Sequence, residues 1–159
     1  MSFDSKFLSI GKIPPPITLP TTSFFKLYSI VDNKLYLSGH GPSWGNDFTH
    51  NLGKVGHDIT LEQGIEASRV CVLNILQTTR QAIKTLDNVE SIIEVFGMVN
   101  CIDSFKEHSR VLNRASEVLN FIFGQNGIHT RVAMGANSLP FNFSVEIKMI
   151  IQIRDNNGI

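Results

Sequence analysis

The chain has no excess charge of either sign. Lys and Arg number 14 and Asp and Glu 14, for a formal net charge of zero. It therefore lacks the basic footprint with which a dedicated nucleic-acid binder collects phosphates, and little charge keeps copies of it apart. Cysteine is scarce. Cys71 and Cys101 are the only two, and they fit neither a metal-ligand spacing nor a disulfide framework. We read both as buried free thiols of a reducing compartment. No apolar stretch is long enough to span a bilayer. The opening Met-Ser-Phe-Asp-Ser-Lys leads into no apolar run ending in small residues, so no signal peptide is expected. These absences lead us to expect a soluble, cytoplasmic protein. Glycine-rich phosphate loops are missing as well: nothing fits GxGxxG or GxxxxGKS/T.

Enough apolar material is present for a core. Hydrophobic residues make up 42% of 159 residues and charged residues 18%, the composition of a folded chain of one domain over 1–159. Residues 1–22 hold Pro14, Pro15, Pro16 and Pro20, which predicts an extended surface arm or coil. From Phe25 an alternating pattern, a turn at Asp32-Asn33-Lys34 and the run Leu35-Tyr36-Leu37-Ser38 predict a β-hairpin. His40 to Asp58 is rich in turn formers and reads as a long loop. Thr60 and Gln63 have the form of a capping box, with helical periodicity behind them to about Leu86. Ser91–Val99 is β-forming and apolar. Ser104 with Glu107 offers a second capping box, before a helix that Gly124 ends. Two strands close the chain, Ile128–Ala136 and Phe143–Ile153.

The order β-β-α-β-α-β-β predicts an α+β fold: a two-layer mixed sheet with two helices on one face. The other sheet face must then be solvated or covered by another chain. In the last strand that face carries Ser144, Glu146, Lys148, Ile150 and Gln152, a mixture that suits burial in a homo-oligomer.

Several residues could carry chemistry. Arg131 stands in an apolar strand, sharing a face with His129 and Ala133 by alternation. A guanidinium there needs a partner. Either a ligand carboxylate, gripped bidentately, or a protein carboxylate such as Glu146 would serve. Glu146 is the only acid of its strand. It could position or deprotonate a water, or pair across strands with Arg131 or Lys148. Asn113 matters if it faces a pocket. Ser38 precedes Gly39, where backbone can approach a ligand closely. His40, His50 and His57 share one loop, but their spacing fits no compact metal site, so no metal is expected.

The segment Arg131-Val132-Ala133-Met134-Gly135-Ala136, followed by Leu139-Pro140 and by Val145-Glu146-Ile147, resembles the signature of RidA-like (YjgF-type) proteins. That family is also described as endoribonuclease L-PSP. Leu35-Tyr36-Leu37-Ser38-Gly39, Asp103-Ser104-Phe105 and Val111-Leu112-Asn113 are similar to further segments of it, so the resemblance runs from about Phe25 to Ile153. It implies a chorismate-mutase-like fold and a homotrimer with clefts between subunits. It also implies hydrolytic deamination of small 2-enamino or 2-imino acids to 2-keto acids and ammonia, without cofactor or metal. By the same resemblance Arg131 would hold the substrate carboxylate and Glu146 position the water. Ser38, Gly39, Asn113, Ala133 and Phe25 would line the cleft, Gly39 and Ala133 by backbone. Phe25 stands where active members carry Tyr, a Cys of many members is Ala133 here, and the loop 40–58 is similar to that of a longer-loop branch. The departure at Phe25 leaves an alternative from another class, a non-catalytic trimer that binds small carboxylates. A third reading, ribonuclease, fits poorly with the neutral charge.

Overall fold

The computed structural model describes residues 1–155; residues 156–159 of the expected 1–159 unit lie outside the described residues. A tight turn begins the sheet. Asp32 (φ 48°) and Asn33 (φ 57°) are both left-handed, a turn geometry whose twist matches the strands it joins and which Asn and Asp tolerate. It connects β1 (Tyr28–Val31) to β2 (Lys34–Leu37), in register from Tyr28↔Leu37 to Val31↔Lys34. The expected hairpin thus starts at Tyr28, three residues later than Phe25. Residues ahead of it still follow β2, since Ser38 N–H donates to Leu27 O at 2.9 Å.

The other strands are β3 (Val89–Asn100), β4 (Thr130–Ala136) and β5 (Val145–Ile153). The sheet order is β1-β2-β5-β3-β4, with β3 and β4 parallel and every other pairing antiparallel. Helices α2 (Leu61–Ile83) and α3 (His108–Phe123) pack side by side on one face, which is the expected mixed two-layer α+β architecture. On β5, Val145, Ile147, Met149, Ile151 and Ile153 are buried beneath them, while Glu146, Lys148, Ile150 and Gln152 point to the open face. Each such aliphatic side chain removed from water contributes about 1.5–3 kcal/mol. Thr60 and Gln63 form the predicted capping box of α2.

Two expectations are corrected. The arm 1–22 is not wholly extended. Ser2 caps a short helix, α1 (Phe3–Leu8), and Phe7 is fully buried. Phe3 meets Phe123 edge-on at 5.0 Å and Asp4 pairs with Arg80 at 3.0 Å, so aromatic burial outweighs the arm's lack of length. The proline stretch beyond is coil, tied to the loop by Asn46, whose Oδ1 accepts from Thr18 N–H at 3.0 Å. Ser104 and Glu107 form no capping box: α3 begins one turn later, and Glu107 accepts from Arg110 at 2.9 Å instead. Loop 40–58 is docked over the end of the sheet, with Gly53 N–H donating to Asn142 O (2.8 Å) and Val55 N–H to Asn100 O (2.8 Å).

Two local features place the site. A Cβ on Gly97 would lie 1.9 Å from Leu112 Cδ1; its absence lets α3 settle onto β3 and bring Asn113 toward β4. On β2, Tyr36 opposes Ile150 and His40 opposes Ile147. Four residue steps face three, so Ser38–Gly39 is a β-bulge.

Candidate functional site

Arg131 lies in register with Val95, on the covered face of the edge strand β4. It reaches α3, where Nη1 donates to Asn113 Oδ1 and to Ser116 Oγ, both at 3.1 Å. These bonds use both Nη1 protons on neutral oxygens. Nε and Nη2 have no acceptor, and Arg131 joins no ion pair, among the described residues. The protein carboxylate left open by the sequence does not fill this place. One edge of the guanidinium is anchored and the other stays available for a carboxylate.

Behind Arg131 runs a directional chain of hydrogen bonds. His129 Nδ1 is 2.6 Å from Gly127 O. A carbonyl only accepts, so Nδ1 carries the proton and Nε2 of the neutral ring accepts from Ser116 Oγ at 2.9 Å. Ser116 thereby turns its lone pairs to Arg131. Burial is the main force holding the His129 pKa below its usual value, and the Arg131 charge adds to it. A shallow cavity of about 200 Å³ opens here, lined by Ser116, Asn120, Ile128, His129 and Arg131. The sequence reading missed Ser116 and the role of His129. The signals were there: His129 shares a strand face with Arg131, and Ser116 lies three residues after Asn113 on the same helix face.

Glu146 belongs to a second cluster. It lies opposite Met98 on β3 and faces the open side of the sheet beside the bulge. Its carboxylate fills the space a side chain on Gly39 would take, 2.2 Å from an ideal Cβ. Partial burial raises its pKa above 4.5, with no ion pair among the described residues to offset it. Ser38 Oγ donates to Lys26 O at 2.5 Å, so this hydroxyl secures the strand beside it. His40, buried, holds the bulge from behind: Nδ1 donates to Ser38 O (2.7 Å) and Nε2 accepts from Thr78 Oγ1 (2.8 Å). Desolvation lowers its pKa.

Within one chain the expected residues therefore form two groups. Arg131, Asn113 and half-buried Ala133 lie on the helix side of the sheet, and Ser38, Gly39 and Glu146 on the open side or its edge. Strand β3 separates β4 from β5 as well. Phe25 is exposed and lines a larger cavity, about 500 Å³, between the proline arm, the start of β1 and α2, with Tyr28 in the same wall.

The loop histidines do not converge. His40 is buried as described, His50 contacts Asp47 and His57 contacts Asp58. No group of three or more potential metal ligands occurs among the described residues. Both cysteines are free and buried, and burial raises both thiol pKa values. No helix among the described residues is long and apolar enough to cross a membrane.

Comparison with known proteins adds to this geometry. Residues 5–153 match the family described as "YjgF/chorismate_mutase-like, putative endoribonuclease". "Protein TCP17" of Trypanosoma cruzi is 31% identical over 143 residues, covering 89% of this chain and 88% of that protein. Among solved structures, the Agrobacterium tumefaciens protein Atu1372, of unknown function, superposes with a TM-score of 0.84 at 31% identity, over 96% of this chain and 92% of that one. A Shewanella oneidensis protein, "a putative endoribonuclease", superposes at 0.88 with 27% identity, over 96% and 100%.

Proposed function

The chain belongs to the YjgF/chorismate-mutase-like family, and from that premise we propose that it hydrolyses small reactive 2-enamino and 2-imino acids to 2-keto acids and ammonia. The observation that carries this reading is the Arg131 guanidinium, anchored at Nη1 by Asn113 and Ser116 with Nε and Nη2 free for a carboxylate. A surface arginine closed on a protein acid would not support it.

Catalysis also needs a group that handles protons. Glu146 suits this, since its raised pKa brings it closer to neutral pH. Its acid form protonates the enamine carbon, giving the iminium ion. Its carboxylate then takes a proton from water as the water oxygen attacks the imine carbon and the C=N π pair moves to nitrogen. Glu146 passes that proton to the carbinolamine nitrogen, and as ammonia leaves it takes the hydroxyl proton, so that the keto acid forms and the acid form is restored. No cofactor takes part in this scheme.

Because Arg131 and Glu146 of one chain face opposite sides of the sheet, the complete pocket in this reading lies between copies. Glu146 of the partner subunit completes it. The open face supports association, with Val132 43% and Met134 45% exposed and no net charge to oppose contact. A trimer is the assembly that the family resemblance implies.

Phe25 favours a second reading, a carboxylate-binding trimer without turnover, because no hydroxyl stands at that position. The family description names a third, endoribonuclease. Purified protein is assayed for ammonia and keto-acid release from 2-aminoacrylate generated in situ by a dehydratase, beside Arg131→Ala and Glu146→Gln. Acceleration lost in both variants is the expected result. No acceleration by a folded trimer that still binds pyruvate gives the binding reading. Salt-sensitive cleavage of RNA instead would favour the ribonuclease.

A further inference from the structure

Arg131 is held by more than its two direct contacts. The run Gly127 O, His129, Ser116, Arg131 is a line of hydrogen bonds at 2.6, 2.9 and 3.1 Å, and each link fixes the direction of the next. We propose that Ser116 and His129 are positioning residues, which hold the Arg131 guanidinium in the orientation that receives a substrate carboxylate. The proposal rests on the carboxylate-binding reading of Arg131.

The chain works in one protonation state. Neutral His129 accepts the Ser116 proton, so Ser116 Oγ offers lone pairs to Arg131 Nη1. When His129 is protonated, Nε2 becomes a donor. Ser116 must then accept from two cations and turn its own proton away, and the imidazolium faces the guanidinium across a half-buried cavity. Burial and the neighbouring positive charge both favour the neutral ring. Among the described residues of one chain no other titratable group lines that cavity, whose remaining lining is Ser116, Asn120 and Ile128; Glu146 of the partner subunit, which completes the pocket in this reading, acts in the opposite sense, since its protonation in acid favours a bound carboxylate. On α3, Arg114 and Glu117 are closed on each other at 3.0 Å. Glu94 of β3, in register with Thr130, lies on the opposite sheet face from Arg131. His129 is therefore the group through which acid loosens the anchor.

The test is pyruvate affinity of the full-length protein, measured by ligand-observed NMR from pH 5 to 8. The set comprises wild type, Ser116→Ala, Ser116→Thr, His129→Gln, His129→Ala and Arg131→Ala, with folding of each checked by thermal melt. Ser116→Ala and His129→Ala are expected to weaken binding about 2- to 10-fold, the range of one typical lost hydrogen bond. Ser116→Thr, which keeps the hydroxyl, stays near wild type. Wild-type affinity falls as His129 becomes protonated. His129→Gln, which still accepts from Ser116 and cannot ionise, does not show this fall in affinity toward acid pH. Wild-type affinity in Ser116→Ala and His129→Ala at every pH, with Arg131→Ala silent, would remove the positioning role and leave Arg131 as the carboxylate site. Unchanged binding by Arg131→Ala, or no binding by any protein, would overturn the carboxylate reading itself, and the positioning role with it.

Discussion

The Glu146 carboxylate stands where a side chain on Gly39 would have to go, with Oε1 2.2 Å from an ideal Cβ at that position. Backbone of the β2 bulge and a half-buried acid thus share one contact, and the bulge sets where the acid rests.

Gly39→Ala is expected to push the carboxylate aside. A misplacement near 1 Å at a proton-transfer group lowers turnover about 10- to 100-fold. The deaminase assay checks this, with a thermal melt to confirm folding. Full activity in Gly39→Ala would mean that the Glu146 position does not limit the chemistry.

Glu146 also has a stability signature. Its pKa is raised in the folded protein by burial, so its contribution is most favourable below the ordinary value of 4.5 and is lost as pH rises through the folded value. Glu146→Gln removes that penalty. The variant should melt higher than wild type at pH 7, and the gap should close at pH 4, while deamination is lost. Scanning calorimetry at the two pH values decides it.

His40 acts in the opposite sense. Burial depresses its pKa below 6.5, so its contribution is intact above that value and lost as pH falls through the window beneath it. Wild-type stability to urea should therefore decline below about pH 6.5, the ordinary titration range of His. Thr78→Val removes the proton that Nε2 accepts and leaves a buried acceptor unmatched, which costs about 1–3 kcal/mol. A midpoint in urea equal to wild type would show that the bulge needs no support from α2.

Phe7 carries the docking of α1. Its side chain is fully buried, with the Arg80 guanidinium 5.7 Å from the ring centroid. Phe7→Ala should lose about 3–5 kcal/mol in denaturant unfolding, the usual cost of emptying such a site.

Much of the fold was legible because periodicity carries it. The alternation of Val145 to Ile153 named the buried face of β5, and Thr60 with Gln63 marked where α2 begins. Helix α1 was not legible, since four prolines dominate the reading of residues 1–22, whereas the helix ends at Leu8, before the first of them. The Ser104/Glu107 pattern misled because the capping box needs the chain to enter the helix at that residue, and it enters later. In the site, alternation already put Glu146 on the open face of β5. That Arg131 lies beneath α3, on the other face, depends on inter-strand register. The contact of Arg131 with Asn113 depends on Gly97 admitting Leu112, a tertiary fact with no local sign.

The sheet order has a consequence for how the chain is made. Strand β5 is the last of the five in the chain, yet it lies in the middle and is the strand that joins the β1–β2 hairpin to β3 and β4 within the sheet. During synthesis those two pieces wait on the ribosome without a shared strand, and open hydrogen-bonding edges remain on β2 and β3 until residues 145–153 emerge. Joining them late is slow and leaves the nascent chain prone to wrong pairings. Nascent chains stalled before Val145 should therefore stay protease-sensitive, and those extended through Ile153 beyond the exit tunnel should acquire resistance in one step.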